Sequence, residues 1–316
     1  MPPSKLIHWQ AWLGASLGFV GICLLADWGF TRAIVLCDEN SESGRIQHLL
    51  LPNSNELPVF GTSMVHGLDL GTNAFNYGLD GTSLAATEVL LEIELAKPKT
   101  TPLVVELQFQ DTGRLGDQGK FIPFATDPRF RQLLKRFHAW EWRYRVPGFR
   151  YFGYYDWFIK DYLSERAQVT PVTRGFVQNF HVAPFDQASF DKMVGERLQK
   201  ANGFFPDEEL NRRLVNLIAA HPQRLFFLVA TPLHASYHAH FQNYDQLEAF
   251  EAQLAAFPNV VVIDWSRLPY PDQAFVDTLH LRIEATTELS RKLREKIAEV
   301  LQARKQPALV VPTGER

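Results

Sequence analysis

Two short stretches, far apart in the chain, carry residues that together could transfer an acyl group. The stretch LPVFGTSMVHG, residues 57–67, places Ser63 in a Gly-Thr-Ser turn directly after an apolar run. The stretch FVDTLHLRIEA places Asp277 three residues before His280. A serine hydroxyl becomes a nucleophile when an imidazole accepts its proton and a carboxylate fixes the tautomer of that imidazole. The residue types therefore indicate a nucleophile, a base and an orienting carboxylate.

Each stretch also has an interpretation without catalysis. Asp-x-x-His fits a helix-capping aspartate followed by a solvated histidine, and Ser63 fits an ordinary turn. The positions of the stretches favour a site, because ligands of a doubly wound sheet bind beyond the carboxyl ends of its strands. Ser63 follows the first predicted strand, and Asp277 and His280 follow the last.

Short apolar runs that alternate with helical stretches predict an α/β fold. The predicted strands lie near residues 58, 75, 105, 227 and 261, in the runs LPVF, NAFNYG, PLVVELQF, RLFFLVATP and NVVVIDWS. Several runs are apolar at nearly every position, which is typical of parallel strands buried on both faces. Helical periodicity marks residues 83–96, 245–256 and a closing helix with apolar residues at i+4 spacing from Leu289 to Leu301. The order predicts a three-layer, doubly wound, flavodoxin-like parallel sheet.

The predicted domain covers residues 57–304, after a polar stretch at 38–56 that is typical of a linker. About 110 residues separate the third and fourth strands, which indicates an insertion at about 112–222 because a crossover needs only a dozen or more. Within it, aromatic rings alternate with arginines at 138–158. A ligand lid, a surface that touches lipid headgroups and the insertion's own core are the open interpretations. Residues 305–316 are expected to form a flexible tail.

Composition excludes some classes of partner and cofactor. The chain has 316 residues, of which 46% are hydrophobic and 21% charged, as in globular proteins. A net charge of −3 and the lack of a Lys/Arg stripe argue against nucleic acid. Cys23 and Cys37 cannot form a zinc site alone, and Cys23 lies in an apolar run, so a structural disulfide is not expected either. We expect no cofactor and no metal.

An apolar run near the N-terminus predicts a membrane anchor. Residues 9–26 contain no ionised residue and would extend about 27 Å as a helix, nearly the thickness of a bilayer core. Trp9 and Trp28 stand near its ends, where indole rings favour the interface, and mostly acidic residues follow. Residues 1–37 are therefore predicted as a cytoplasmic tip and single-pass anchor, with the domain in a periplasm or at a cell surface. A cleaved signal peptide and a buried core helix are the alternatives.

Three sequence blocks, in order, resemble those of the SGNH (GDSL-like) hydrolase family. They are VFGTSMVHGLD after the first strand, AFNYGLDGTS after the second, and DTLHL near the end. With ATPLHASYH and the N-terminal anchor, they are similar to membrane-anchored envelope proteins of teichoic-acid D-alanylation and exopolysaccharide O-acylation. The likeness covers roughly residues 57–300, without much of the insertion.

The resemblance implies roles for individual residues. Ser63 would be the nucleophile and, through its N–H, the first oxyanion donor. His280 would be the general base, and Asp277 its orienting partner. Gly81 would supply the second oxyanion N–H, and Asn76 belongs to the same block as a candidate substrate-binding residue.

The third family block, Gly-x-Asn-Asp, is missing from the chain, and Thr62 stands where the family has aspartate. The stretch QFQD follows the third strand, so Gln110 is a candidate replacement for the absent asparagine and Asp111 matches the final aspartate. Loss of one oxyanion donor typically slows turnover by about 100-fold or more. The departure is compatible with a slow or specialised enzyme, and also with a non-catalytic subunit.

Further histidines offer alternatives to this assignment. His234, His238 and His240 follow the fourth strand, and a pair at i and i+4 could bind zinc on a helix. A substrate-facing His234 is the favoured interpretation, because no acidic third ligand stands nearby. His66 is a rival base, although a helical position would aim it along the surface.

The chain is therefore expected to be an extracytoplasmic serine esterase or O-acyltransferase that acts on acyl esters of cell-envelope polysaccharide. An acylated or acyl-accepting glycan is the expected substrate, and a membrane-bound acyltransferase the expected protein partner. Water or a sugar hydroxyl would accept the acyl group, depending on how far the site excludes water. A glycan-binding or scaffolding subunit of a polysaccharide-modifying complex is the alternative.

The predicted topology can be tested with reporters fused after Arg316. Alkaline phosphatase should be active there, because it folds only outside the cytoplasm, and a cytoplasm-only fluorescent reporter should be dark. Fluorescence of the second fusion, or recovery of the full chain in the soluble fraction without detergent, would refute the topology.

Overall fold

Five parallel strands form the centre of the fold, in the order β2-β1-β3-β4-β5. The computed structural model describes residues 3–37, 41–52, 56–107, 119–136, 142–167, 174–175, 184–199, 208–240 and 243–305. The strands are β1 (Leu57–Phe60), β2 (Ala74–Asn76), β3 (Leu103–Glu106), β4 (Phe226–Ala230) and β5 (Val260–Asp264). Every strand pair is parallel, with Val59 opposite Val104 and Val105 opposite Leu228. The predicted α/β class and its strands are confirmed.

Helices connect the strands and cover the sheet. Within the described ranges they are α1 (Pro3–Phe30), α2 (Glu42–Leu50), α3 (Leu84–Leu95), α4 (Pro128–Arg136), α5 (Tyr155–Ala167), α6 (Gln187–Leu198), α7 (Glu208–Ala220), α8 (Ala235–His240), α9 (Tyr244–Ala255) and α10 (Ile283–Lys305). A π-helical turn, Thr31–Val35, continues α1. Short 3-10 turns cover Ser63–Val65, Gly119–Phe124, Trp142–Arg145 and Asp272–Ala274.

The two faces of the sheet bury separate apolar clusters, which gives three layers. Phe60, Val105 and Leu228 point to one face, where α2, α3 and α7 pack. Their neighbours in sequence point to the other face, where α10 packs. This alternation places one side chain on each face in turn, so strands covered on both sides are apolar throughout.

Helix α2 corrects the prediction of a linker at residues 38–56. Ile46 and Leu49 are buried in the core, and Ser41 caps the helix by accepting a hydrogen bond from the Gly44 N–H (2.8 Å). Several polar side chains of α2 are buried and paired, as Glu42 is with Lys120 (2.9 Å). The polar composition of this stretch therefore does not indicate an exposed linker. Composition cannot distinguish such paired charges from solvated ones.

The insertion after β3 includes α4 to α7, and its aromatic segment divides between two environments. Tyr144, Tyr151 and Phe158 belong to the buried core cluster, as one interpretation of this segment required. Trp142 and Phe152 are exposed, so the core does not account for every ring. Residues 138–141 of this segment and residues 306–316 of the predicted tail lie outside the described residues.

Helix α1 and the turn after it include an apolar stretch, Trp9–Val35, that is long enough and apolar enough to span a membrane, with a mean hydropathy of 1.6. Only 6% of its most apolar window is buried, so the part of the chain that the structure describes leaves most of this window uncovered. A core helix of a soluble domain would be mostly buried.

If α2 is part of the core, truncation of its buried face should destabilise the domain. Leu49→Ala should lower the free energy of unfolding by about 2–5 kcal/mol, because it leaves a cavity. Leu50→Ala is the matched control. The Leu50 side chain, next to Leu49, is 37% exposed, and its loss should lower the free energy of unfolding by about 0.5 kcal/mol. Chemical denaturation of the detergent-solubilised full chain measures both. Equal effects of the two variants would contradict the packing of α2.

Candidate active site

Ser63 and His280 meet at the carboxyl edge of the sheet. The Ser63 Oγ lies 2.8 Å from His280 Nε2, although 217 positions separate the two residues. Ser63 begins the 3-10 turn that follows β1, and Thr62 caps this turn through a hydrogen bond from Met64 N to Thr62 Oγ1 (3.2 Å). Ser63 and His280 are both half-buried.

Asp277 fixes the ring of His280 from the other side. His280 Nδ1 lies 2.9 Å from each carboxylate oxygen of Asp277. Asp277 Oδ1 also accepts the backbone N–H groups of Leu279 (2.8 Å) and His280 (2.9 Å), which closes the loop before α10. With its Nδ1 proton donated to Asp277, the ring turns Nε2 toward the Ser63 hydroxyl as the acceptor of its proton. The structure therefore brings the three predicted residues together in a hydrogen-bonded relay.

The charge of Asp277 is secured by its contacts. Burial raises its pKa, but the hydrogen bond and charge of His280 and the two backbone N–H donors outweigh burial, so the pKa lies well below its usual range. Arg197 adds an ion pair at 3.1 Å. The carboxylate therefore stays ionised at neutral pH and can stabilise an imidazolium at His280.

Glu106 is a buried carboxyl directly beneath the serine turn, which sequence reasoning missed. It ends β3 and accepts hydrogen bonds from Thr62 N (2.5 Å) and Thr62 Oγ1 (2.9 Å). Burial raises its pKa to about 7, against the opposing effects of the Thr62 hydrogen bonds and the His280 charge. An acidic residue that ends an otherwise apolar run was the available indication in the sequence. Glu106 ties β3 to the turn that presents Ser63.

Gly61 permits this close contact. A Cβ at Gly61 would lie 2.7 Å from the Glu106 Cβ and 2.9 Å from the Val65 Cγ2, closer than packed atoms approach. A side chain at this position would push the serine turn away from β3. The glycine of the Gly-x-Ser block is thus a packing requirement here.

The end of β2 packs against the serine turn through Asn76. Its Nδ2 donates to the Val65 carbonyl (2.6 Å), and its Oδ1 accepts the Gly78 N–H (2.8 Å). The side chain is 2% exposed. Asn76 was predicted to bind substrate, but the structure directs its amide to the backbone, where it positions the turn.

Gly81 lies in the loop that follows, with a positive φ of 57° that favours glycine. Thr82 holds this loop through hydrogen bonds from its Oγ1 to Leu79 O (2.6 Å) and Gly61 O (3.4 Å). Among the hydrogen bonds of the described residues, none uses the N–H of Ser63 or of Gly81. Within the described residues, neither predicted oxyanion donor is therefore committed to another hydrogen bond.

A buried charged cluster supports the backbone of this loop. Arg45 donates to the Gly78 carbonyl (2.5 Å) and to His66 Nε2 (3.1 Å). Lys120 donates to the Asp80 carbonyl, and the Asp80 N–H donates to Glu42. The cluster thereby fixes both ends of the segment that leads to Gly81.

The same cluster decides the role of His66. Its ring is 4% exposed and not turned along the surface as expected; its Nδ1 lies 3.3 Å from Asp80. Burial and the Arg45 charge lower its pKa to about 3. Its nitrogens face Arg45 and Asp80, so its contacts are structural.

One group of side chains that includes His66 has the spacing of metal ligands. Atoms of Glu42, His66 and Asp80 that could ligate a metal lie within 4.8 Å of one another. Lys120 contacts Glu42 Oε1 at 2.9 Å, and this ammonium already neutralises the carboxylate that a cation would need. The arrangement fits a network of ion pairs that includes its own cations.

The histidines after β4 have separate partners. His234 Nδ1 lies 2.6 Å from Ser236 Oγ, and its Nε2 lies 3.1 Å from Asp272. His238 bonds the Ser266 carbonyl (2.6 Å) and His240 the Ser236 carbonyl (3.0 Å). His234 was expected to face the substrate. Its ring instead connects Ser236 of α8 to Asp272, in the segment before Asp277.

The predicted third oxyanion donor Gln110 and its neighbour Asp111 lie outside the described residues.

Comparisons with known proteins give limited likeness. No family model and no curated protein matches the chain. A candidate acylhydrolase from Bacteroides fragilis is 10% identical, with a TM-score of 0.40 over 82% of this chain and 95% of its own. A candidate platelet activating factor protein from Streptococcus pneumoniae is 13% identical, with a TM-score of 0.39 over 88% of this chain and 98% of its own. The roles of residues in this chain therefore depend on its own geometry.

The raised pKa of Glu106 predicts a pH-dependent stability. Between pH 4.5 and about 7 the folded chain holds a proton on Glu106 that the unfolded chain releases. The free energy of unfolding should therefore fall as pH rises through this window, by up to roughly 3 kcal/mol from this group. Glu106→Gln should remove this component, because an amide does not titrate.

Denaturant titrations of the full chain at several pH values measure this slope. Glu284→Gln, which changes an exposed carboxyl on α10, is the control and should keep the wild-type slope. Other buried carboxyls contribute equally to all three proteins. An unchanged slope in Glu106→Gln would contradict the assignment.

Proposed function

We propose that the chain is a membrane-anchored serine esterase or O-acyltransferase that acts on acyl esters of cell-envelope polysaccharide. The observation that carries this proposal is the relay of Ser63, His280 and Asp277, with contacts of 2.8 and 2.9 Å at the carboxyl edge of the sheet. A buried, ionised carboxylate, an oriented imidazole and a hydroxyl in contact with that imidazole are the parts that acyl transfer needs.

The reaction begins when Ser63 Oγ attacks the acyl carbonyl carbon. His280 Nε2 takes the hydroxyl proton, and Asp277 stabilises the resulting imidazolium. The tetrahedral intermediate collapses, His280 gives the proton to the departing alcohol, and the acyl group remains on Ser63. Water or a sugar hydroxyl, deprotonated by His280, then attacks this ester and releases Ser63.

The negative oxygen of the intermediate needs hydrogen-bond donors. The N–H groups of Ser63 and Gly81 are the candidates, since the buried charged cluster and Thr82 hold their two loops together. Backbone donors that are fixed before the reaction stabilise developing charge without reorganisation. Gln110 remains a predicted third donor.

Two features support an envelope setting. The first is α1, whose exposed apolar surface suits a single-pass anchor with a cytoplasmic N-terminus. The second is the resemblance of the three sequence blocks to anchored envelope proteins. An acylated or acyl-accepting glycan is the proposed substrate, and a membrane-bound acyltransferase the proposed partner.

The proposal predicts a strong and non-additive dependence on the relay. Ser63→Ala and His280→Ala should each lower turnover of a small acetyl ester by on the order of 1,000-fold or more, and the double variant should be hardly worse. Asp277→Asn should be damaging but milder. Ser189→Ala, an exposed serine on α6, is the matched control and should keep wild-type turnover.

Turnover is measured on the detergent-solubilised full chain, with circular dichroism to confirm folding of each variant. Full activity of Ser63→Ala would place the nucleophile elsewhere. A folded wild type without turnover that nevertheless binds a glycan would favour a non-catalytic subunit.

A further inference from the structure

The aromatic segment of the insertion is fastened to the carboxyl-terminal end of α1. The Gly148 N–H donates to Asp27 Oδ1 (2.9 Å), and Arg150 Nη2 pairs with Asp27 Oδ2 (2.8 Å). Asp27 is buried by these contacts. One turn further, Thr31 Oγ1 and the Tyr151 hydroxyl lie 2.7 Å apart. The segment therefore has a fixed position beside the helix.

Ring packing reinforces this attachment. Phe30 of α1 packs against Tyr151 (5.3 Å between ring centroids) and Tyr155 (5.0 Å), and Phe158 lies behind them (6.3 Å). Such aromatic pairs add to the free energy of apolar burial. The start of α5 is thereby held at the level of Phe30.

Beside this attachment, a set of large apolar side chains faces outward. We call it the aromatic platform: Trp142, Phe149, Phe152, Tyr155, Ile159 and Leu163. Trp142 is 70% exposed, Phe152 63% and Leu163 57%. In α5, Tyr155, Ile159 and Leu163 recur at i, i+4 and i+8, so they share one face of that helix. The charged Asp156 and Lys160 stand on its remaining surface.

The position of the platform along α1 places it at the level of a membrane interface, if α1 spans the bilayer. From Trp9 to Asp27 the helix rises about 27 Å, close to the thickness of a bilayer's hydrocarbon core. The residues of α1 that hold the segment, Asp27 and Phe30, would then lie at one membrane interface. Trp28, between them, is 64% exposed, and indole rings concentrate at this depth.

The charges around the platform fit the same depth. Arg145 is exposed, and the Arg143 guanidinium stacks on the Phe152 ring (5.9 Å). Arginines beside aromatic and aliphatic side chains are typical of surfaces that enter the headgroup region, where the cation meets lipid phosphate and the ring meets acyl chains.

We propose that the aromatic platform lies in the headgroup region of the bilayer that α1 spans, as a second contact with the lipid. The inference rests on the proposed anchoring by α1. It adds that the domain is held against the membrane surface at a fixed orientation, because helix and platform are joined by a buried ion pair. A domain on a free tether would have neither contact.

Depth-dependent fluorescence quenching tests this contact in the full chain. Single cysteines are introduced in a background with Cys23→Ala and Cys37→Ser, labelled with an environment-sensitive fluorophore, and reconstituted in phosphatidylcholine–phosphatidylglycerol vesicles. Phe152→Cys and Ile159→Cys report on the platform. Leu17→Cys reports on α1, and Ala298→Cys, exposed on α10 against the opposite face of the sheet, is the matched control.

We expect lipids with a nitroxide near the headgroup to quench most emission at positions 152 and 159. Lipids with a deep nitroxide should quench position 17, and neither lipid should quench position 298. Quenching at 17 without quenching at 152 and 159 would overturn the platform contact and leave the anchor intact. Absence of quenching at 17 would instead refute the anchoring itself.

Other occupants of the platform give distinct results. If a second copy of the chain covered it, labels at 152 would be protected from aqueous iodide and would quench one another, with no effect of nitroxide lipids. If nothing covered it, iodide would quench positions 152 and 298 equally. Either result would overturn the proposal.

Discussion

The hydrogen bond between Ser63 and His280 connects the segments that follow β1 and β5, the first and last strands in chain order. The rest of the structure positions these two segments. Ser63 follows β1 directly, whereas His280 reaches the same edge through a loop after β5. Phe275 is buried at the base of this loop and pairs with Leu281, and Thr278 accepts the His234 N–H (3.0 Å). A parallel sheet presents all its carboxyl ends at one edge, so two strands remote in sequence can share a site.

The serine turn is held by polar groups that the fold has removed from water. Glu106 beneath Thr62, Asn76 beneath Val65 and Arg45 beneath Gly78 each bind a backbone group of this region. Unpaired, such groups would cost several kcal/mol each on burial. Paired, they fix the loops that carry Ser63 and Gly81, and their precision depends on α2, which supplies Arg45. This network explains why a helix before the first strand belongs to the site's support.

The sequence allowed the sheet and the relay to be predicted for related reasons. Strands β3 and β4 are apolar at almost every position because both faces are covered, and Ser63, Asp277 and His280 stand just beyond strand ends. The supporting groups were not predictable in the same way. Glu42 and Arg45 are charged residues in a polar stretch, as residues of a linker would be. Only their partners in the folded chain distinguish them from solvated charges.

The predicted substrate-binding residues show the same limit. Asn76 and His234 stand at the expected positions, yet their side chains bind backbone, Ser236 and Asp272 rather than facing outward. Neighbours that lie far away in sequence decide where a side chain points. The aromatic segment likewise contributes partly to the core. The position of its outer rings depends on contacts with the end of α1 and the turn after it, such as the one between Thr31 and Tyr151, which are 120 positions apart in sequence.

The central claim is that Ser63 is the activated nucleophile, and peptide mapping of a covalent adduct tests it most directly. The full chain in detergent is treated with a fluorophosphonate, digested and analysed by mass spectrometry. We predict a single phosphonylated peptide whose modified residue is Ser63, and no adduct after heat denaturation, because an unactivated hydroxyl does not react. An adduct on another serine of the folded chain, or equal labelling of folded and denatured protein, would contradict the claim.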